Sequence, residues 1–385
     1  MKFAHMADCH IGGWNDPKMR ELGIRAFEKA VAVCLHEKVD FVVVAGDLFN
    51  TALPGIEVLT RTVKQLRLLK DNLIPFYVVA GSHDYSPSGK SILNVLETAG
   101  LLVNVEGKVV GRGIKLFGMA GKKAGLEKSL YYDLEREKLE NEAGPKIFVM
   151  HSAIEEFKPV EMMHAVPLKL IPKGFDYYAC GHVHYIFQKK VENYGVIAFP
   201  GPLFPNNFAE LEELSCGFYL VDCFAPRFVP VKMAEVVGVK LDCGGKSPQE
   251  VTADLLKVAE RDLTGCIITL RLFGELRIGK PSEIDFKQVF RVLYSKGAYH
   301  IMRNTAKLTS KEFEVVEVSD STVEEIEHGL IAESAGKIKV DGWSKESEER
   351  LVGVLMRVLD REREEGERVN DFESRIRDDV LKLLT

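Results

Sequence analysis

The chain has 385 residues, enough for two or three domains and an ample core. Its 51 basic and 57 acidic residues leave a net charge of -6, so no overall basic character advertises nucleic acid, and any such contact must come from a local patch. Seven cysteines without CxxC spacing point to free thiols in a reducing compartment. No apolar run reaches the ~18 residues of a membrane span and the opening MKFAHMAD lacks a signal-peptide core, so the expected location is cytoplasmic, away from any membrane.

The first predicted strand, Lys2 to Ala7, ends in Asp8-Cys9-His10. The Asp-x-His spacing puts both side chains on one face of an extended segment. Ile24, Phe27, Val31 and Leu35 then predict a helix over 24–36. Phe41 to Ala45 is an unbroken apolar run, the pattern of a strand buried on both faces, and it stops at Gly46-Asp47. A helix over 56–70 leads to the strand Pro75 to Ala80, which ends in Gly81-Ser82-His83-Asp84. Lys146 to Met150 ends in His151, and Tyr177 to Cys180 ends in Gly181-His182-Val183-His184. This alternation of strand and helix is that of an α/β domain. Later strands at 196–199, 217–221 and 227–233 show no intervening helix, so the sheet should become mixed or antiparallel there.

In α/β sheets ligands collect beyond the carboxyl ends of the strands. Any single Asp or His at such a place is more often a cap or a satisfied core residue. Here, however, the chain has only 10 histidines, and five of them stand at these strand ends with Asp8, Asp47 and Asp84. Mixed imidazole and carboxylate suit Mn, Fe or Zn better than Mg or Ca, which prefer all-oxygen shells. Two metals sharing a carboxylate is the economical arrangement for so many ligands, and such a pair can clamp a phosphate and supply a hydroxide.

Asp8-x-His10, Gly46-Asp47, Gly81-x-His83-Asp84, His151 and Gly181-His182-x-His184 resemble the five signature blocks of the calcineurin-like metallophosphoesterases. The longer Gly46-Asp47-Leu48-Phe49, and Gly181-His182-Val183-His184 followed by Phe199-Pro200-Gly201-Pro202, narrow the resemblance to the Mre-eleven/SbcD family of double-strand-break repair nucleases. It implies a two-sheet metallophosphoesterase sandwich flanked by helices, with a small α+β capping domain and a C-terminal helical hairpin. By the same resemblance Asp8, His10, Asp47 and His184 hold one metal, and Asp47, Ser82, His151 and His182 the other. His83 touches the scissile phosphate and Asp84 orients it. Two Mn2+ per subunit are implied, serving a 3′–5′ exonuclease and single-strand endonuclease on DNA ends. The chain departs from the family pattern at two places: Ser82 stands where the pattern has Asn, and Asn50 where it often has a second His.

The implied domains are the nuclease over 1–230, a capping, DNA-binding domain over 231–311, a bridging helix and linker over 312–342, and a helical partner-binding segment over 343–385. Ser247-Pro248-Gln249-Glu250 is a capping box that should open a helix, and Ser321 to Glu333 should form the bridging helix. Near the C-terminus Leu351, Leu355 and Val358 line one helical face and Phe372, Ile376 and Val380 another. A helical hairpin packed on its own protein would show the same stripes. The resemblance implies instead that they grip an SMC-like ATPase of the Rad-fifty/SbcC type, in an assembly built on a homodimer. Lys18, Arg20, Lys90, Lys122, Lys123, Lys189 and Lys190 are read as loop residues adjoining the strand ends, the positive rim a DNA-cleaving acidic protein needs. Two other readings fit the residues: a small-molecule phosphodiesterase with the same blocks, and a DNA-end-binding scaffold with reduced catalysis.

Overall fold

The computed structural model describes residues 1–85, 91–107, 113–122, 126–310, 344–361 and 369–384. In chain order its first half comprises β1 (Lys2–Met6), α1 (Pro17–His36), β2 (Phe41–Ala45), α2 (Ile56–Asp71), β3 (Phe76–Val79), α3 (Ile92–Thr98), β4 (Val103–Asn104), β5 (Lys115–Met119), α4 (Lys128–Tyr132), α5 (Arg136–Glu140), β6 (Lys146–His151) and β7 (Tyr177–Gly181). There follow β8 (Phe187–Val191), β9 (Gly195–Phe199), α6 (Phe208–Glu213), β10 (Gly217–Asp222), β11 (Ala225–Pro230), β12 (Val236–Asp242), α7 (Pro248–Leu256), β13 (Ile267–Leu276), α8 (Phe286–Ser295) and β14 (His300–Ser310). Helices α9 (Lys345–Leu359) and α10 (Val369–Leu384) complete the described elements.

The apolar run of β2 shows why two sheets form. Phe41, Val43 and Ala45 join Phe3, Ala7, Val79, Ile147, Val149 and Tyr177 in a core between the sheets. Val42 and Val44 point the other way, packing with Ala4, Met6, Phe27, Val31 and Leu66 beneath α1 and α2. Both faces are dry, so no position on the strand tolerates a polar residue. Each buried Val, Leu, Ile, Met or Phe among them contributes about 1.5–3 kcal/mol through removal from water. The six-stranded sheet runs β11-β10-β1-β2-β3-β4 and the five-stranded one β5-β6-β7-β9-β8. β1 to β3 are parallel, as are β5 to β7, while β10, β11 and β8 pair antiparallel. The late part of the sandwich is therefore mixed, as expected.

Parallel pairing aims the carboxyl ends of β1, β2 and β3 one way, and those of β6 and β7 likewise. The loops beyond them meet at one edge of the sandwich, where the Asp8 carboxylate accepts from the His182 N–H and the His151 ring reaches Ala45 O.

Several expectations need correction. The first helix begins at Pro17, seven residues before 24, because the Asp16 side chain accepts from the N–H groups of Lys18 and Met19 and Pro17 starts the first turn. β1 stops at Met6, and Asp8 and His10 are not extended: their φ values are 48° and 41°. A helix, α6, does intervene between β9 and β10, capped by Asn207.

β12, β13 and β14 form a separate, all-parallel sheet, with α7 and α8 closing a core that includes Val251, Leu255, Leu270, Val289 and Leu293. The Ser247–Glu250 capping box opens α7 as its sequence predicts. Contacts along the chain group Met1–Glu312 as one unit and Phe313–Thr385 as another. In the second unit α9 and α10 pack on each other, joined by Arg361 to Asp379 at 2.8 Å. Val358 is buried there, and Leu351, Leu355, Phe372, Ile376 and Val380 are half-buried. Among the described residues the apolar ones exposed there are Val352, Met356, Leu359 and Leu381, so the two stripes are partly occupied within the hairpin. The bridging helix expected over 321–333 lies outside the described residues, as do Lys90 and Lys123. No helix among the described residues is long and apolar enough to cross a membrane.

Candidate metal centre

Left-handed backbone builds this site. Asp8, His10, Asp47 and His182 all have positive φ, a strained state for side chains of this kind that costs on the order of 1–3 kcal/mol each. The strain is held by a ladder between the two loops: Asp8 N–H donates to Gly46 O at 3.1 Å, His10 N–H to Asp47 O at 3.0 Å and Ile11 N–H to Leu48 O at 3.0 Å. Gly46 has φ +83°, and a Cβ there would stand 2.1 Å from the His151 ring nitrogen, so only glycine admits the approach.

Three overlapping groups of ligand atoms result: Asp8, His10 and His184; His10, Asp47 and His83; Asp8, Asp47 and His151, each set lying within 4.8 Å. His151 Nδ1–H donates to Ala45 O at 2.8 Å, which leaves the Nε2 lone pair facing Asp47 Oδ2 at 3.3 Å with no hydrogen-bond partner. The Nε2 atoms of His10 and His184 face each other at 3.3 Å. Ring nitrogens turned on a carboxylate and on one another, in a nearly dry pocket, require positive charge between them, carried by protons or by a metal ion. A divalent cation fits that donor set. Burial opposes charge on His151 and His184, but Asp47 lifts the first to about 9, and Asp8 with Glu210 lifts the second to about 10. Burial wins at His10 and at His182, both lowered to about 4. Burial also raises Asp47, yet His151 and His10 hold it well below the usual carboxylate range.

His83 is exposed at the rim, its N–H bonded to Asp47 Oδ1 at 2.8 Å and its Nδ1 2.9 Å from Asn50 O. The expectation that Asp84 orients this ring is not met. Asp84 is buried and spends its carboxylate on the backbone, accepting from Leu48 N–H and Phe49 N–H at 3.0 Å and from Gly81 N–H at 3.1 Å. Burial and the nearby Asp47 push it up to about 7 even so.

Residues 1–185 match the family model of the calcineurin-like phosphoesterases. Over 91% of this chain and 88% of the relative, the sequence is 27% identical to the DNA double-strand break repair protein Mre11 of Archaeoglobus fulgidus. It is 29% identical to the Mre11 of Saccharolobus solfataricus over 58% of this chain and 60% of that one. Among solved structures, TT1561 of Thermus thermophilus covers 60% of this chain and 99% of its own, at 16% identity and a TM-score of 0.43. Residues 1–185 are thus similar to the calcineurin-like phosphoesterases, and the chain is similar to Mre11 proteins over most of its length.

It is a metal-dependent phosphodiesterase, and the donor set above suits divalent metal. Of the residues singled out in the sequence, Asp8, His10, Asp47, His83, His151 and His184 come together. His182 stands beside them, its ring centroid 5.2 Å from that of His151, but outside the three groups; Ser82 is half-buried in the turn before His83. The basic residues fall differently from expectation. Lys18 and Arg20 sit in the first turns of α1, not in a loop, because Asp16 starts the helix early. Lys18 Nζ donates to Tyr299 O at 3.1 Å and lies over the Tyr294 ring, while Arg20 donates to Trp14 O and Asn15 O. Lys189 and Lys190 are exposed on the edge strand β8, with Lys189 Nζ over the Phe157 ring, since the hairpin with β9 begins already at Phe187. Lys122 follows Gly121, whose backbone lies against His151: a Cβ there would meet the ring at 2.5 Å. One residue escaped the sequence reading altogether. Glu210 contacts His184, and its signal was the Asn207-x-x-Glu210 capping pattern that opens α6.

Proposed function

We propose that this protein is a manganese-dependent DNA nuclease that processes ends in double-strand-break repair, with 3′–5′ exonuclease and single-strand endonuclease activity. The observation that carries the reading is the cluster of three overlapping donor groups built around Asp8 and Asp47, with the exposed His83 at its rim. Its support in the comparisons is the likeness to DNA double-strand break repair proteins over most of the chain. Asp8, His10, Asp47 and His184 would hold one Mn2+; Asp47, His151, His182 and Ser82 would hold the second, more weakly, because a serine hydroxyl is a poor ligand. Two such cations would clamp the phosphodiester and activate water. The chain's own part is to bridge both sites with Asp47 and to present His83 to the phosphate, its ring steadied by Asn50 O. The small-molecule alternative is separated by comparing linear duplex DNA with bis-p-nitrophenyl phosphate in Mn2+. The duplex should be cut from its 3′ ends, abolished by chelator and much slower in Mg2+ alone. Hydrolysis of the small diester with intact DNA would overturn the nuclease reading.

The proposed domains are the nuclease over 1–230, a DNA-binding cap over 231–311, a bridge over 312–342 and a partner-binding hairpin over 343–385. The hairpin's charged, amphipathic helices suit an SMC-like ATPase of the Rad50 type, working with a homodimer of this chain. A cytoplasmic location agrees with all seven cysteines being free, six of them buried. Truncation at Gly342 should leave single-strand DNA cleavage unchanged and abolish co-purification with the ATPase. Undiminished binding would reject the hairpin as the docking segment.

A further inference from the structure

The second nitrogen of His184 meets a carboxylate, whereas the Nδ1 atoms of His83 and His151 face backbone carbonyls. The His184 Nδ1 lies 2.8 Å from Glu210 Oε1. That carboxylate is itself fixed from the other side: Asn207 Nδ2 donates to Oε1 at 2.6 Å and Asn206 N–H donates to Oε2 at 2.7 Å. The Asn207 side chain in turn accepts from Glu210 N–H at 3.0 Å, closing a reciprocal cap at the start of α6. The helix is anchored on the neighbouring sheet as well. Glu212 accepts from Arg271 on β13 at 2.8 Å, and the Arg271 guanidinium lies 5.1 Å from the Phe208 ring centre. A side chain held at this many points cannot swing freely, and whatever it bonds shares its position.

We infer that Glu210 is the positioning residue of the centre: it takes the Nδ1–H of His184 and so turns the Nε2 lone pair toward Asp8 and His10, where a divalent cation binds. Nε2 lies 3.7 Å from Asp8 Oδ1 and 3.3 Å from His10 Nε2, so ring orientation decides whether all of these atoms can share one ion. A carboxylate on the remote nitrogen fixes both the tautomer and the ring plane, and raises the basicity of the ligating nitrogen. The inference rests on His184 being a metal ligand in the proposed function.

Calorimetric titration with Mn2+ alone, on the full-length protein, tests it without reference to activity. Glu210→Ala should weaken the tighter Mn2+ site by about ten- to a hundredfold. Should that variant fail to fold, Glu210→Gln keeps the length of the side chain and should weaken the same site severalfold. The deciding measurement is the double variant with His184→Ala. If Glu210 acts through His184, then adding Glu210→Ala to His184→Ala costs nothing further. Equal losses in both backgrounds, or unchanged affinity in Glu210→Gln, would overturn the positioning role. An unchanged affinity in His184→Ala would overturn the ligand reading and this inference with it. Affinity lost in His184→Ala but kept in Glu210→Ala would overturn this inference alone.

Discussion

Asp47→Ala should abolish phosphodiester hydrolysis, with a loss exceeding the roughly 10²–10³-fold that removing a single charge-stabilising group costs. The reason is geometric. Asp47 Oδ2 stands 3.3 Å from His151 Nε2 and 3.7 Å from His10 Nε2, while Oδ1 accepts from His83 N–H at 2.8 Å. One carboxylate thus serves both donor sets and the backbone that carries His83. Its removal leaves lone pairs facing one another across an uncompensated gap and frees the loop that presents the rim histidine. Steady-state rates on a phosphodiester at saturating Mn2+ measure the effect. A rate within tenfold of the native protein would show that Asp47 is dispensable and that the centre is organised otherwise.

Asp84→Ala should destabilise the fold by about 3 kcal/mol or more, the largest stability effect expected of any residue in the site. It strands the N–H groups of Leu48, Phe49 and Gly81, each costing about 1–3 kcal/mol when buried without a partner. The three groups belong to the turns that carry Asp47 and His83, so activity should fall together with stability. Asp84→Asn should rescue only part of the loss, since its amide nitrogen turns a donor toward a donor. Denaturant unfolding gives the number, and a change below about 1 kcal/mol would mean that these N–H groups find other partners.

Much of this was legible because β2 has no polar residue between Phe41 and Ala45. A strand packed on both faces announces itself by composition alone, and the ligands follow such strands directly. The conformation of the ligands was not legible. Asp8, His10 and Asp47 occupy left-handed backbone that their residue types seldom adopt, and it is enforced by pairing between the 8–11 and 46–48 loops. Glu210 stayed hidden because α6 has six residues, too few to show a period. Lys18 was misread for a different reason: its partners Tyr294 and Tyr299 lie nearly three hundred residues away, and a cation occupied by protein looks in sequence like a cation free for phosphate. The role expected of Asp84 failed similarly, because adjacency to His83 in sequence says nothing about which side of the turn its carboxylate faces.

How many metal ions the protein holds, and through which residue, decides whether the centre is built as described. Mn2+ bound per chain, counted by equilibrium dialysis of the native protein and of Asp47→Ala, measures this. Two ions per native chain, one held more weakly, with both sites impaired in Asp47→Ala, is the result expected of a centre bridged by that carboxylate. A native protein that binds no Mn2+, or an Asp47→Ala variant that keeps both ions at native affinity, would contradict it.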